Sequence, residues 1–189
     1  MSNTSKHHTE SQDAAGFNIA LIGMPGAGKS SIGRALAAGC GATFIDTDHL
    51  IESRHKASLQ QLLQQYGYAA LREWEEQEIF ALNVEAGKPC IIATGGSAVY
   101  SDGAMRKLRD ITTLVYLHIS PATMIARVQA GDEHQRGLAR PENQSLEQLY
   151  AEREPLYRAA ATQIIHCDDM DVQAITSKLL NEISKPAAK

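Results

Sequence analysis

Residues 17–30 read Phe17-Asn18-Ile19-Ala20-Leu21-Ile22-Gly23-Met24-Pro25-Gly26-Ala27-Gly28-Lys29-Ser30. An apolar run with the character of a buried strand, Phe17 to Ile22, passes at once into a glycine-rich turn. Lys29 to Cys40 then has helical composition. Within this strand–loop–helix setting, Gly23 to Ser30 satisfies G-x-x-x-x-G-K-[ST]. Glycines let the chain wrap closely around phosphate oxygens with N–H groups pointing inward, and the helix presents the positive end of its dipole to the same anion. Gly26, Ala27, Gly28, Lys29, Ser30 and Ser31 are therefore the candidate ligands of a nucleoside triphosphate. Lys29 reaches toward the β- and γ-phosphates, and Ser30 offers a hydroxyl to Mg²⁺. The motif leaves the phosphoryl acceptor open.

Outward from this stretch, short apolar runs alternate with helical ones. Strands are expected at Thr43–Asp46, Cys90–Thr94, Thr113–Ile119 and Gln163–His166. Helices are expected from Ser58 to the interruption at Gly67, over Ala69–Ala86 and Ser101–Arg109, after Ser120-Pro121, and over Ser145–Ala161 and Val172–Ile183. Serine at a helix start serves as an N-cap, and proline suits the first helical position. The alternation predicts an α/β fold, a parallel sheet buried on both faces by helices. Residues 17–184 form one domain in this reading, between a disordered polar tail at 1–16 and a frayed end at 185–189. The polar stretch 130–144 is either a functional mobile loop or a solvated insertion.

The chain has 189 residues, 43% of them apolar and 21% charged, with a net charge of −4. That is globular composition without the basic excess of a general nucleic-acid surface. No apolar run approaches the roughly 18–20 residues that cross a bilayer. Cys40, Cys90 and Cys167 form no CxxC pair, and three buried reduced thiols are expected. With no apolar segment in the N-terminal tail to act as a secretory signal, a cytoplasmic protein is expected.

Ligands of open α/β sheets gather beyond the carboxyl ends of strands. The second strand ends in Asp46-Thr47-Asp48, where one carboxylate can hold Mg²⁺ through water and the other can accept a hydrogen bond from an acceptor hydroxyl. The same pattern suits a helix N-cap. The third strand ends in Thr94-Gly95-Gly96-Ser97, which suits either close approach to a small ligand or an ordinary turn. Arg72, beside Glu75 and Glu76, and Arg153, between two glutamates, suit surface ion pairs. Brought into one cleft, the two arginines would instead clamp a carboxylate.

Taken together, GMPGAGKSSIGRALA, FIDTDHLIE, GYAALREWEE, ATGGSAVY and YAEREPLYRAAA, in this order, resemble the shikimate kinases over Phe17–Ile183. The resemblance implies a three-layer α/β/α P-loop fold with a five-stranded parallel sheet of order 2-3-1-4-5. It also implies a substrate-binding segment at about 48–80, a mobile lid at about 130–144, and transfer of phosphate from ATP to shikimate. Asp48 would orient or deprotonate the attacking hydroxyl. Arg72 and Arg153 would bind the carboxylate, Gly95 and Gly96 would offer backbone contacts, and Asp46 would help place Mg²⁺. A lid arginine, Arg136 in preference to Arg140, would reach the ATP phosphates. Members of such families are often monomers. Ser97 stands where the family usually has a third glycine, and the lid Arg-Pro-Leu-Leu is replaced by Arg136-Gly137-Leu138-Ala139. These departures leave two alternatives: a paralogue acting on another hydroxy acid or polyol such as gluconate, or a non-catalytic nucleotide-binding regulatory module.

Overall fold

A computed structural model describes residues 17–85, 87–131 and 138–183. The expected tails and Arg136 lie outside the described residues. Five strands form one parallel sheet: β1 (Asn18–Ile22), β2 (Thr43–Asp46), β3 (Cys90–Ala93), β4 (Thr113–His118) and β5 (Gln163–His166), in the order β2-β3-β1-β4-β5. Leu21 pairs with Ala93 and Val115, and Asp46 also pairs with Ala93. The carboxyl ends of all the strands therefore open on one edge. Ile22, Ile91, Ile92, Leu114 and Leu117 are fully buried, as the continuous apolar runs require of a sheet covered on both faces.

The helices are α1 (Lys29–Cys40), α2 (Thr47–His55), α3 (Leu59–Ala81), α4 (Asp102–Ile111), α5 (Pro121–Ala130), α6 (Leu146–Ala160) and α7 (Val172–Ile183), with a single 3₁₀ turn at Ala98–Tyr100. Ser58 and Ser145 each form a reciprocal capping box, with Gln61 and Gln148. Ser101 and Ser120 accept from the third backbone N–H of their helices. Each such cap contributes about 1 kcal/mol to the helix it opens. No described helix is long and apolar enough to cross a membrane.

Three details differ from the sequence expectation. Thr47–His55 is helical although its sequence, TDHLIESRH, shows no apolar stripe. Asp46 caps it by accepting from the Asp48 N–H at 3.1 Å, and the Arg54–Glu78 ion pair at 2.8 Å ties it to α3. Gly67 interrupts α3 as expected, its φ 79° and ψ 172° dividing two helical stretches at a kink, but the second stretch stops at Ala81 rather than Ala86. Of the three thiols, Cys90 and Cys167 are buried, while Cys40 is only half-buried at the end of α1.

Candidate active site

The glycine-rich turn after β1 lies at the open edge of the sheet. Gly28 occupies the left-handed region at φ 86° and precedes the first turn of α1, a conformation that glycine adopts without a Cβ penalty. Lys29 folds back over the turn and donates to the carbonyls of Gly23 at 2.8 Å and Met24 at 3.1 Å. Burial pulls its ammonium pKa down, while Asp48 and Glu75 oppose that shift. On α5, Arg127 donates to the Gly26 carbonyl at 3.1 Å and fastens the turn from the other side.

Beside this turn, a cavity of about 300 Å³ is lined from the phosphate loop by Gly26, Gly28, Lys29, Ser30 and Ser31. From the opposite side come Asp48, Glu75, Gly96, Ser97 and Arg153, with Leu138 and Ala139 at its margin. Ala27, Asp46, Arg72 and Gly95 do not line it. Arg140 is not brought to it either: its guanidinium donates to the Gln144 carbonyl.

The Asp-Thr-Asp sequence divides three jobs. Asp46 caps α2. Thr47 is fully buried and accepts from the Gly95 N–H at 2.9 Å, fixing the turn after β3 against α2. Asp48 faces the cavity. Burial first, then repulsion from Glu75 and Asp46, pushes its carboxyl up to about 7. A carboxylate held near neutrality can take a proton at physiological pH.

Glu75 is the functional candidate missed in the sequence, where it reads as a surface partner of Arg72 one turn away. In the fold it is 2% exposed. Its Oε2 accepts from the Ser97 hydroxyl, and its Oε1 is buried with no hydrogen-bond partner among the described residues. Burial raises its pKa against the pull of Ser97, Arg153 and Lys29. A Cβ on Gly95 would collide with both Asp48 Oδ1 and Glu75 Oε1, so glycine there makes room for two converging carboxylates. An unpaired buried carboxylate oxygen is a product of three-dimensional packing, so no local sequence signal marked Glu75.

Arg153, 1% exposed, is the largest fully buried side chain. It donates to the Ala139 carbonyl at 2.8 Å and to the Tyr100 hydroxyl at 3.1 Å. A Cβ on Gly96 would lie 3.0 Å from its Nη1. The guanidinium of Arg72 sits 3.7 Å from the centre of the same Tyr100 ring, and that of Arg153 sits 5.0 Å away. Arg72 Nε is buried without a hydrogen-bond partner among the described residues. The two arginines therefore share an aromatic platform and make no carboxylate pair with their helical neighbours, and such cation–ring contact holds charge in place without neutralising it. Trp74 packs against His55 at 4.0 Å and Tyr66 at 5.3 Å, away from this platform.

A phosphate-binding turn on one wall, with carboxylates and buried guanidinium groups on the other, defines a P-loop phosphotransferase acting on a small anionic molecule. The sequence profile of the shikimate kinase family matches residues 25–184. The chain is 38% identical over 149 residues to a shikimate kinase of Paracidovorax citrulli, covering 79% of this chain and 81% of that one. It is 37% identical over 169 residues to a shikimate kinase of Pseudomonas aeruginosa, covering 89% and 96%. Among solved structures, a shikimate kinase from Acinetobacter baumannii in complex with shikimate superposes with a TM-score of 0.81 at 30% identity, covering 92% and 96%. The chain belongs to the shikimate kinase family.

Proposed function

We propose that this protein transfers the γ-phosphate of ATP to a hydroxyl of shikimate, giving ADP and shikimate 3-phosphate. The observation that carries this reading is the cavity itself, which sets Lys29 and Ser30 opposite Asp48 and the buried guanidinium of Arg153. ATP phosphates bind the N–H groups of the Gly26–Ser31 turn, where Lys29 exchanges its carbonyl partners for phosphate oxygens and stabilises charge during transfer. Arg153 receives the acceptor carboxylate, with Arg72 supporting it from the Tyr100 platform. The Gly96 backbone lies against the acceptor, while Gly95, bonded to Thr47, holds the turn in place. Asp48 orients the attacking hydroxyl and takes its proton.

The hydroxyl of Ser30 and the carboxylate of Asp46, which spends one oxygen on the α2 cap, are hard oxygen donors suited to Mg²⁺. Ser30 would hold the ion directly and Asp46 through water, and Mg²⁺ bound with ATP supplies neutralisation of phosphate charge. Arg136 serves the same phosphates from the lid. The protein acts as a monomer in the cytoplasm. The test is ADP release with MgATP in the presence of shikimate, quinate or gluconate. Shikimate-dependent release is expected. Turnover with gluconate alone would replace the acceptor, and nucleotide binding without any turnover would replace catalysis with regulation.

A further inference from the structure

Five serines stand immediately before helical turns at Ser58, Ser97, Ser101, Ser120 and Ser145. Four of them cap the helix that follows. Ser97 makes no side-chain cap at the 3₁₀ turn it precedes. It is 6% exposed, and its hydroxyl instead crosses to α3 and donates to Glu75 Oε2. A hydroxyl buried beside the cavity and withdrawn from its local capping role has a tertiary purpose.

That purpose follows from what the contact does to the other carboxylate oxygen. With Oε2 held by Ser97, Glu75 Oε1 has no hydrogen-bond partner among the described residues, is shielded from solvent, and converges with Asp48 Oδ1 on Gly95. A buried carboxylate oxygen without a partner is costly in the free protein, and the cost is relieved when a donor arrives. The donor that the cavity admits beside Asp48 is a hydroxyl of the acceptor. We propose that Ser97 is a positioning residue that locks the Glu75 carboxylate so that Oε1 receives a second acceptor hydroxyl next to the one that faces Asp48. This inference rests on the functional reading above.

The molecule contains its own control. One turn further along the same interface, Ser101 donates to Glu76 Oε1 at 2.5 Å. It is the same chemical contact between the same two segments, but neither Ser101 nor Glu76 lines the cavity. A purely structural role for Ser97 would make the two pairs respond alike.

The experiment is steady-state kinetics with MgATP and shikimate, together with melting temperatures, for the wild type and for S97A, S97G, S101A, E75Q and S97A/E75Q. Ser97→Ala should raise the KM for shikimate about tenfold or more, as expected when a buried carboxylate loses its donor, and leave the KM for ATP within about twofold. Ser97→Gly should raise it only about threefold, because the vacated space admits a water that can donate in place of the hydroxyl. Ser101→Ala should lower the melting temperature and leave both KM values within about twofold. In the E75Q background, Ser97→Ala should add less than about twofold. Equal effects of S97A and S101A on KM, a parallel rise in both KM values, or a larger loss in S97G than in S97A would overturn the proposal. S97G and the double-mutant comparison carry the test if S97A does not fold. A wild type unable to phosphorylate shikimate would overturn the functional reading and this one with it, whereas an active wild type with an indifferent Ser97 would overturn this one alone.

Discussion

The two walls of the cavity are built on opposite plans. The phosphate wall comes from one short stretch, Gly26 to Ser31, all of which but Ala27 line the cavity, and it offers main-chain N–H groups and one folded-back lysine. The acceptor wall gathers Asp48 from α2, Glu75 from α3, Gly96 and Ser97 from the turn after β3, and Arg153 from α6. The first is local and backbone-based, and folding a strand into a helix creates it. The second exists only after four segments have packed, and its charged side chains are buried at some cost in stability. Under the proposed function, the difference teaches where specificity resides: a loop reads the triphosphate and the tertiary structure reads the acceptor.

Substitutions should separate the walls. The largest effect belongs to the phosphate side, where Lys29→Ala should lower kcat by about 10³-fold with little change in shikimate affinity. Asp48→Asn should lower kcat by about 10²–10³-fold while nucleotide affinity, measured by calorimetry, stays within about threefold. Its stability should move the other way. The Asp48 carboxyl holds a proton up to about pH 7 in the folded free protein, against 3.8 as its ordinary value. Folding is therefore favoured at low pH, and that advantage is lost as pH rises from about 4 through 7. At pH 8 the Asn variant should melt higher than the wild type; a lower melting temperature would contradict the burial argument.

Arg153→Lys should raise the KM for shikimate about 100-fold without a matching rise for ATP, because a lysine cannot keep the Tyr100 and Ala139 contacts and also fork onto a carboxylate. A matching rise would merge the two walls. The pH profile gives a smaller and more graded contrast. If Asp48 must be ionised, kcat/KM for shikimate should fall about tenfold per unit below about pH 7. Smallest is Tyr100→Phe, which keeps the ring under both arginines but removes the oxygen that accepts from Arg153 Nε. It should raise the KM for shikimate only a few-fold.

The same contrast explains what could be read in the chain before it was folded. The strands, the phosphate loop and the serine-capped helices are encoded within a few residues of themselves, so their spacing announces them. The strand order followed from the family likeness and agrees with the sheet. Asp48 and Gly96 were legible as cavity residues because they follow strand ends, whereas Arg153, which by its neighbours suited a surface ion pair, was marked only by the family likeness. Helix α2 was not, since TDHLIESRH has no apolar stripe and is held by an aspartate cap and the Arg54–Glu78 pair. Glu75 was hidden by its own neighbourhood, as one glutamate among several on a helix whose burial is settled by the turn after β3. The purpose of Thr47 was equally invisible, because its partner, the Gly95 N–H, is 48 positions away.

The contact between Arg153 and the Ala139 carbonyl joins the buried guanidinium to a second part of the molecule. Ala139 also packs with the small apolar cluster of Ile51, Leu59, Leu62 and Leu71, so it joins the arginine to the α2–α3 segment. Any molecule that draws on the Arg153 guanidinium competes with, or reinforces, the grip on residue 139. By reciprocity, any displacement of residue 139 alters the arginine's readiness for its anion. A single main-chain oxygen thus couples the arginine to the α2–α3 segment.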